Sequence, residues 1–160
     1  MTYRLCFVCL GNICRSPMAE AVMRSVLVDA GIDDLVAVSS AGTGAWHAGE
    51  RADPRASKAL TGRGYDASSH RARQFTASWF DDIDLVLAVD RSTRDELKRI
   101  APLADREKIR LLREFDASAG RDLDVPDPYY GGPDGFDEVL DMVERACKGL
   151  LGELSKQQQP

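Results

Sequence analysis

A cysteine and an arginine stand six positions apart near the start of the chain, in the segment Cys9-Leu10-Gly11-Asn12-Ile13-Cys14-Arg15-Ser16-Pro17. A cysteine thiolate is a strong nucleophile, and an arginine guanidinium can bind two oxygens of one anion. An apolar run precedes the segment and a helical pattern follows it, which predicts a loop between a strand and a helix. The free N–H groups at such a helix start, together with the helix dipole, attract a tetrahedral anion. We therefore predict an oxyanion-binding loop with a reactive thiol.

Individual positions of this segment fit that chemistry. Ser16 is predicted as the N-cap of the helix, with Pro17 at its first position and Glu20 in its first turn. Gly11 and Asn12 are predicted to take the left-handed backbone that a tight loop requires. The field at a helix start favours the thiolate form of a cysteine. The first cysteine of the segment is therefore the candidate nucleophile.

Three other interpretations of that cysteine compete. Cys6 and Cys9 form a Cys-x-x-Cys pair, as in zinc and dithiol sites, but residues three apart on a strand point to opposite faces. Cys14, Cys147 and two isolated histidines supply no second ligand pair, so no metal is predicted. A nucleotide-binding loop would require Gly-Lys-Ser/Thr, which the segment lacks. An inert core cysteine is disfavoured by the surrounding Gly, Asn, Arg and Ser-Pro residues.

The composition is that of a globular protein. Hydrophobic residues make up 44% of the 160 residues and charged residues 29%, and the formal net charge is −5. These values argue against disorder, a membrane protein and a nucleic-acid partner. No secretory pattern and no disulfide framework stand out, so we expect a cytoplasmic protein. The positive field for an anionic substrate must then be local, and the candidates for it are Arg15, Arg51, Arg55, Arg71 and Arg73.

Strand and helix patterns alternate along the chain. Strands are predicted at residues 3–8, 36–41, 83–89 and 109–112. Helices are predicted after the thiol loop, from Asp53-Pro54, from Asp90 and Ser92, and along an apolar stripe from Phe136 to Leu154 that includes Cys147. This order predicts an α/β fold, a single-domain doubly wound, flavodoxin-like parallel sheet of four strands with helices on both faces. The domain is predicted to span residues 1–155, with a frayed tail at 156–160.

A loop near the end of the chain supplies a candidate acid. Thiolate attack on a phosphate monoester needs a group that protonates the leaving oxygen. Asp127 lies in Asp124-Val125-Pro126-Asp127-Pro128-Tyr129-Tyr130-Gly131-Gly132, where prolines and glycines disfavour regular structure. The two tyrosines beside it are suited to wall a pocket. Taken alone, the segment is an ordinary turn with an exposed aspartate, but together with the thiol loop it predicts a general acid.

Four segments of the chain together resemble the low-molecular-weight protein tyrosine phosphatases. They are Cys9 through Pro17, Ser39-Ser40-Ala41-Gly42-Thr43, Leu87-Ala88-Val89-Asp90-Arg91-Ser92 and Asp127-Pro128-Tyr129-Tyr130-Gly131. The Trp46-His47 dipeptide and the tyrosine pair resemble bacterial members in particular. The resemblance implies hydrolysis of phosphotyrosine and aryl phosphate monoesters through a phosphocysteine intermediate, with no metal and no other cofactor.

The resemblance also implies a role for each site residue. Cys9 is the nucleophile, Arg15 binds two phosphoryl oxygens and Asp127 is the general acid. The other substrate-binding residues are Leu10, Gly11, Asn12, Ile13, Cys14, Ser16, Trp46, Tyr129 and Tyr130. Ser16 is expected to hydrogen-bond the sulfur of Cys9. Ser40 and His70 are expected to support the loop through Asn12, although the sequence is equally consistent with His70 as an ordinary surface histidine.

Regulation and partners follow from the same resemblance. Cys14 is implied to form a reversible disulfide with Cys9, which protects the nucleophile from over-oxidation. Tyr129 or Tyr130 is implied as the target of a tyrosine kinase. We expect phosphotyrosine-containing proteins as substrates, no nucleic acid or membrane partner, and a monomer or weak dimer.

Two other functions are compatible with an oxyanion-binding loop that carries a reactive cysteine. Arsenate reductases share the Cys-x5-Arg element, but the thioredoxin-coupled type needs extra cysteines near the third strand. The segment Ala88-Val89-Asp90-Arg91-Ser92-Thr93 has none, which leaves a reductase that uses an external thiol. A pseudoenzyme that binds phosphotyrosine without turnover would lack Cys9, Arg15 or Asp127, and all three are present.

Overall fold

Four parallel strands form the central sheet. The computed structural model describes residues 2–132 and 134–157. Its strands are β1 (Tyr3–Cys9), β2 (Val36–Gly42), β3 (Leu85–Ala88) and β4 (Ile109–Leu111). They lie in the order β2-β1-β3-β4, and every neighbouring pair is parallel. The predicted α/β class and four-stranded parallel sheet are confirmed.

The strand order places the end of β1 in the middle of one sheet edge. From β1 the chain continues to β2 on one side and later to β3 on the other. Cys9 lies opposite Gly42 of β2, and Val8 lies opposite Ala88 of β3. The loops after β1 and β3 therefore leave neighbouring strand ends in different directions. In doubly wound folds this arrangement opens the crevice in which ligands bind.

Helices cover both faces of the sheet, as predicted. Their bounds are α1 (Arg15–Asp29), α2 (Pro54–Gly62), α3 (Arg91–Ile100) and α4 (Gly135–Gln157). Leu5 and Phe7 of β1 pack in the core with α1, α2 and α4, whereas Cys6 and Val8 pack with α3 and the 3₁₀ turn Ala77–Asp81. Because both faces are buried, β1 is a continuous apolar run in the sequence.

Two helix starts agree with the sequence patterns and one differs. The carboxylates of Asp53 and Asp90 cap α2 and α3, accepting from backbone N–H groups at 2.8 Å. Ser16, however, is not a cap: α1 begins at Arg15, and no acidic residue lies in its first turn, so Glu20 falls outside it. The physical reason is that the hydroxyl of Ser16 is engaged with the loop that precedes the helix, as described below.

The last helix contains the predicted apolar stripe. Its buried residues are Phe136, Val139, Leu140, Val143, Ala146, Cys147, Leu150 and Leu154. Cys147 is fully buried, so it is a core residue as predicted, and burial raises the pKa of its thiol. Of the predicted frayed tail, Lys156 and Gln157 continue α4, whereas residues 158–160 lie outside the described residues.

Every strand differs from its predicted bounds by one or two residues: β1 and β2 each end one residue later, at Cys9 and Gly42, and β3 ends one residue earlier, at Ala88. β3 begins at Leu85 rather than at residue 83, because the backbone N–H of Ile83 bonds the carbonyl of Trp79 and stays in the preceding turn. β4 ends at Leu111, where a 3₁₀ turn takes over. Within the two described ranges, none of the helices combines the length and apolar character needed to cross a membrane.

Candidate active site

The sulfur of Cys9 lies at the end of β1 and accepts hydrogen bonds inside the loop. Cys9 is 3% exposed, and its Sγ lies 2.9 Å from the Oγ of Ser16 and 3.2 Å from the backbone nitrogen of Asn12. Donors at these distances stabilise negative charge on the sulfur. The hydroxyl of Ser16 is thus used at the nucleophile, which explains why it does not cap α1.

Asn12 gives the loop its shape. Its φ of +58° is in the left-handed region, as predicted, whereas Gly11 does not adopt a positive φ. Gly11 instead provides space, since a Cβ there would lie 3.0 Å from the ring of His47. The side-chain amide of Asn12 donates to Ser16 and to Ser40 at 2.8 and 3.0 Å. These contacts hold the backbone in a conformation that is costly for a residue other than glycine.

His70 supports the same loop from outside the cavity. Its Nε2 donates to the carbonyl oxygen of Asn12 at 2.7 Å. Burial lowers the pKa of His70 below its usual value, against the opposing effects of this hydrogen bond and of Glu20. The neutral ring with a proton on Nε2 satisfies the carbonyl. Ser40, His70 and Asn12 therefore lie in one hydrogen-bonded group.

Glu20 extends this group, and sequence reasoning missed it. Its Oε1 accepts from the hydroxyl of Ser40 at 2.7 Å, and its Oε2 pairs with Arg24 at 2.6 Å. The signal that would have identified it is an acidic residue one turn after the loop, on the side of the helix that faces β2.

Arg15 is held in place by the protein before any anion binds. It is 4% exposed, and its Nη1 donates to Oδ2 of Asp90 at 2.6 Å and to the carbonyl of Val125 at 2.9 Å. Burial on its own would lower the pKa of Arg15, but negative charge at Cys9, Asp90 and Asp127 raises it. The guanidinium is therefore charged and fixed at neutral pH.

Asp90 has a second role beyond its cap. Burial disfavours ionisation of its carboxyl, but the hydrogen bonds from Thr93 and Arg15 hold its pKa below the usual range. Its two oxygens serve different partners, Oδ1 the backbone of Thr93 and Oδ2 the side chain of Arg15. The position of Asp90 before a helical pattern predicts only the first of these contacts, because the contact with Arg15 joins residues 75 positions apart.

Asp127 lies across the cavity opening from the loop. Its Oδ1 accepts from the backbone N–H of Tyr129 at 3.0 Å, and its Oδ2 lies 3.6 Å from Nη2 of Arg15. The side chain is one-third exposed. The carboxylate therefore faces both the bound-anion position next to Arg15 and the solvent.

Apolar and aromatic side chains surround the opening. Trp46 is 71% exposed, Tyr130 is 87% exposed, and Leu10 and Tyr129 are partly exposed. The rings of Tyr129 and Tyr130 meet edge to face at 4.9 Å. The indole ring of Trp46 packs directly over Gly44, where an added Cβ would lie 1.8 Å from the ring. The opening thus presents an aromatic rim above a charged base.

These side chains enclose a cavity of about 310 Å³. Its lining comprises the predicted residues Cys9, Leu10, Gly11, Ile13, Cys14, Arg15, Trp46, Asp127, Tyr129 and Tyr130, together with His47. Asn12 and Ser16, which were predicted to bind substrate, are fully buried and do not line it. They act behind the cavity because their side chains bond each other and Ser40.

His47 is the lining residue that sequence reasoning did not assign. Its Nδ1 pairs with Oε2 of Glu50, and its ring centroid lies 6.5 Å from that of Tyr129. The signal was its position directly after Trp46, in the loop that follows β2.

One of the five candidate arginines supplies the predicted local positive charge. Among the five candidate arginines, all of which the structure describes, only Arg15 lines the cavity. Arg55 pairs with Asp53, and Arg71 and Arg73 donate to the backbone carbonyls of residues 70 and 40. The local positive field therefore comes from Arg15 and the start of α1.

The cysteines other than Cys9 differ in what they can reach. Cys14 lines the same cavity as Cys9, and burial, assisted by the charge of Asp53, raises the pKa of its thiol to about 12. Cys6 packs on the opposite face of the sheet, so the Cys-x-x-Cys sulfurs do not meet. In the part of the chain that the structure describes, no group of three His, Cys, Asp or Glu side chains is placed to hold a metal ion.

Comparison of the sequence with protein families gives one match over nearly the whole chain. The family described as "Low molecular weight phosphotyrosine protein phosphatase" matches residues 4–160. A low molecular weight protein-tyrosine-phosphatase of Streptomyces coelicolor is 58% identical over 159 residues, which cover 98% of this chain and 96% of that protein. Low molecular weight protein-tyrosine phosphatase A of Mycobacterium tuberculosis is 46% identical over 145 residues, covering 90% of this chain and 86% of that protein.

A solved structure shares the fold at the same coverage. The crystal structure of a protein tyrosine phosphatase from Entamoeba histolytica, with Hepes in the active site, superposes with a TM-score of 0.93. The sequences are 39% identical, and the match covers 99% of this chain and 100% of that one.

Proposed function

We propose that this chain, which belongs to the low molecular weight phosphotyrosine protein phosphatase family and is a protein-tyrosine-phosphatase, works through a phosphocysteine intermediate and without a metal ion. The observation that carries the proposal is the placement of Cys9, Arg15 and Asp127 around one cavity. They supply a nucleophile, a fixed cation and an acid to one phosphoryl group.

In the first step, the sulfur of Cys9 attacks phosphorus and forms an S–P bond while the P–O bond to the tyrosine ring breaks. Asp127 gives its proton to the departing phenolate oxygen, so tyrosine leaves as a neutral phenol. Charge on the equatorial oxygens is met by the guanidinium of Arg15 and by the start of α1. Arg15 needs no rearrangement, because Asp90 and Val125 already hold it.

In the second step, the carboxylate of Asp127 takes a proton from a water molecule that attacks phosphorus. The S–P bond breaks, inorganic phosphate forms and the thiolate of Cys9 is regenerated. The Oγ of Ser16, 2.9 Å from the sulfur, stabilises that thiolate as it leaves. A metal is unnecessary in this scheme, because protein donors meet the phosphoryl charge in both steps.

The aromatic rim supports selectivity for phosphotyrosine. Trp46, Tyr129 and Tyr130 stand around the opening and can contact an aryl ring whose phosphate reaches Cys9. Phosphoserine is shorter and has no ring to contact them. Arsenate likewise gains nothing from these side chains, so the rim favours the phosphatase over the alternative of an arsenate reductase with an external thiol.

The test uses paired substrates and chelation. We expect turnover of phosphotyrosine and aryl phosphates that is unchanged by EDTA, is competitively inhibited by vanadate, and far exceeds turnover of phosphoserine. Cys9→Ser should abolish activity. Equal rates on both phosphoamino acids, or a loss of activity on chelation, would overturn the proposal, and arsenate reduction supported by glutathione would establish the alternative.

The exposed tyrosines support a further part of the proposal. Tyr130 projects almost completely into solvent, and its neighbour Tyr129 is partly exposed. We propose that a tyrosine kinase can phosphorylate either residue. Incubation with a tyrosine kinase followed by peptide mass spectrometry tests this, and a variant with both Tyr129→Phe and Tyr130→Phe that takes up as much phosphate as the wild type would assign the modification elsewhere.

A further inference from the structure

The acid and the tyrosine wall are parts of one short turn. Pro128–Tyr130 form a single 3₁₀ turn, and the backbone N–H of Tyr129 donates to Oδ1 of Asp127 at 3.0 Å. Because the carboxylate is bonded to its own turn, a displacement of the Tyr129 backbone displaces the acid as well. The position of the acid therefore depends on what holds Tyr129.

Arg55 holds Tyr129 from outside the catalytic cavity. Its Nη1 donates to the carbonyl oxygen of Tyr129 at 3.1 Å. The guanidinium carbon lies 5.1 Å from the ring centroid of Tyr129 and 4.8 Å from that of Phe136, within the range of cation–π contacts. Arg55 lines a neighbouring groove with Lys58 and is not part of the catalytic lining. It is thus placed to act on the turn and not on the phosphoryl group.

Asp53 fixes Arg55 in turn. Nε and Nη2 of Arg55 donate to Oδ1 and Oδ2 of Asp53 at 3.0 and 2.9 Å, a bidentate arrangement. Asp53 is 8% exposed, and its backbone N–H donates to the carbonyl of Ile13 in the oxyanion loop at 2.8 Å. Burial on its own would raise the pKa of Asp53, but the hydrogen bonds from Arg55 hold it below its usual value. The pair is therefore ionised and anchored to the loop of Cys9.

We propose that Arg55 is a positioning residue for the general acid, which it ties to the oxyanion loop through Asp53. The connection runs from Ile13 to Asp53, then to Arg55 and Tyr129, and ends at the carboxylate of Asp127. It sets the distance between the acid and the bound phosphoryl group. This inference rests on the proposed function, in which Asp127 is the acid.

The first experiment compares leaving groups in Arg55→Met, which keeps an unbranched apolar stem against Phe136. We expect kcat/KM for phenyl phosphate, which reports only the first step, to fall about 10-fold, since a misplaced catalytic group costs rate steeply. The loss with 4-nitrophenyl phosphate should be much smaller, because a good leaving group needs less protonation. Inhibition by vanadate should be unchanged, because Cys9 and Arg15 bind it. An equal loss on both substrates would overturn the proposal.

The second experiment separates positioning from other roles of Arg55. In an Asp127→Ala background, Arg55→Met should cause no further loss of kcat/KM with phenyl phosphate, because no acid remains to be positioned. Effects that multiply in the double variant would overturn the inference and leave the proposed function intact. If Asp127→Ala alone had no effect on phenyl phosphate, the assignment of the acid would fall and this inference with it.

Matched variants guard against a purely structural effect. Arg63 lies just after α2 and pairs with α4, which Arg55 contacts through the ring of Phe136. The acceptors of Arg63 are Asp137, Asp141 and Glu144, away from the acid turn. Arg63→Met should keep wild-type kinetics on both substrates. Arg55→Lys retains the charge but not the bidentate fork, so its kcat/KM should be intermediate; it provides the same test if Arg55→Met does not fold. A higher KM for a phosphotyrosine peptide with unchanged kcat would make Arg55 a substrate contact and overturn the proposal.

Discussion

The hydroxyl of Ser16 is placed to stabilise negative charge on the sulfur of Cys9. The Oγ of Ser16 lies 2.9 Å from the sulfur of Cys9, accepts from the amide of Asn12, and also lies 3.4 Å from the carbonyl oxygen of Ala41, to which it can donate. A negatively charged sulfur is the stronger of the two acceptors for its proton. In the proposed mechanism, the sulfur becomes negative when the phosphocysteine breaks down, and the hydroxyl of Ser16 is the side chain beside it that can donate a hydrogen bond. The effect belongs to the second step more than to the first.

Ser16→Ala should therefore slow dephosphorylation of the enzyme. Loss of one donor to a developing anion typically costs 10²–10³ in rate, so we expect kcat to fall by roughly that factor. Rapid-quench kinetics with 4-nitrophenyl phosphate should show a burst of nitrophenol before a slow steady state. Ser39→Ala is the control, because Ser39 bonds the carbonyl of Leu5 instead. A uniform loss without a burst would place the effect of Ser16 in the first step.

The acid is tested at the same scale. We expect Asp127→Ala to reduce kcat/KM by roughly 10²–10⁴, the usual contribution of a general acid or base, and most strongly with poor leaving groups. The measurement is kcat/KM, which reports only the first step, across a series of aryl phosphates with leaving groups of increasing basicity. A loss that is the same for every leaving group would show that the carboxylate acts on something other than the leaving oxygen.

Cys14 is expected to act when Cys9 is oxidised. Its pKa, raised to about 12 by burial in the first place, keeps it a neutral thiol at neutral pH. Peroxide converts Cys9 to a sulfenic acid, and attack by the sulfur of Cys14 forms the disulfide and releases water. We expect mild peroxide followed by dithiothreitol to restore activity in the wild type but not in Cys14→Ser. Mass spectrometry that finds Cys9 as sulfinic acid beside a free Cys14 thiol would contradict this prediction.

Residue spacing in the sequence predicted local chemistry better than long-range contacts. Cys9 and Arg15 lie in one segment, so their relation is readable from spacing alone. Asp90 was identified only as a helix cap, since nothing in its own neighbourhood indicates Arg15, 75 positions away. The same limit applies to His47, whose place in the cavity depends on how the loop after β2 folds back over Gly11.

At the scale of elements, α4 has one position, Gly149, at which a neighbouring backbone leaves no room for a side chain. A Cβ at Gly149 would lie 1.7 Å from the carbonyl oxygen of Phe115, which is in the 3₁₀ turn after β4. Real Cβ atoms do not approach backbone that closely, so the helix would have to move away. Gly149 is therefore a packing glycine within an otherwise apolar stripe.

Gly149→Ala should destabilise the protein by about 1–3 kcal/mol, the usual cost of overpacking. The control is Gly152→Ala on the same helix, where nothing lies within 4 Å of an added Cβ. That change should stabilise the protein by about 0.5–1 kcal/mol through helix propensity. Urea unfolding followed by circular dichroism measures both, and two variants of equal stability would contradict the close approach.

The starts of α2 and α3 were predictable because each cap bonds only a backbone N–H group two or three residues away. The carboxylates of Asp53 and Asp90 cap their helices in the way their position before a helical pattern indicates. Ser16 has the same pattern but fails as a cap, because the sulfur and the amide of the preceding loop compete for its hydroxyl. A functional contact thus displaced the structural role that the pattern predicts.

At the scale of the whole molecule, the alternation of strands and helices was enough to predict the sheet, because a parallel sheet covered on both faces is the simplest packing for that order. The meeting of the two ends of the chain was not predictable in detail. The carbonyl of Val125 accepts from Arg15 across 110 positions, and only the packed fold brings them together. The position of Arg15 in the site therefore depends on the folding of the whole chain.

Between pH 7 and pH 5.5, the partly buried side chain of His70 makes stability depend on pH. Burial lowers the pKa of His70 below its ordinary value, so at a pH just below that value the unfolded chain binds a proton that the folded protein does not. Stability from this group is complete above the unfolded pKa of about 6.5 and declines as pH falls below it. We expect the free energy of unfolding to drop between pH 7 and pH 5.5 more steeply in the wild type than in His70→Gln. Parallel profiles would show that His70 does not titrate differently on folding.

The exposure of Trp46 has a practical consequence for measurement. The chain has two tryptophans, and Trp79 is partly covered by Phe75 and by the guanidinium of Arg73. Iodide should therefore quench the emission of Trp46 in preference to that of Trp79. An aryl phosphonate in the cavity would shield the same indole, so fluorescence can count occupied sites in a Cys9→Ser variant that turns nothing over.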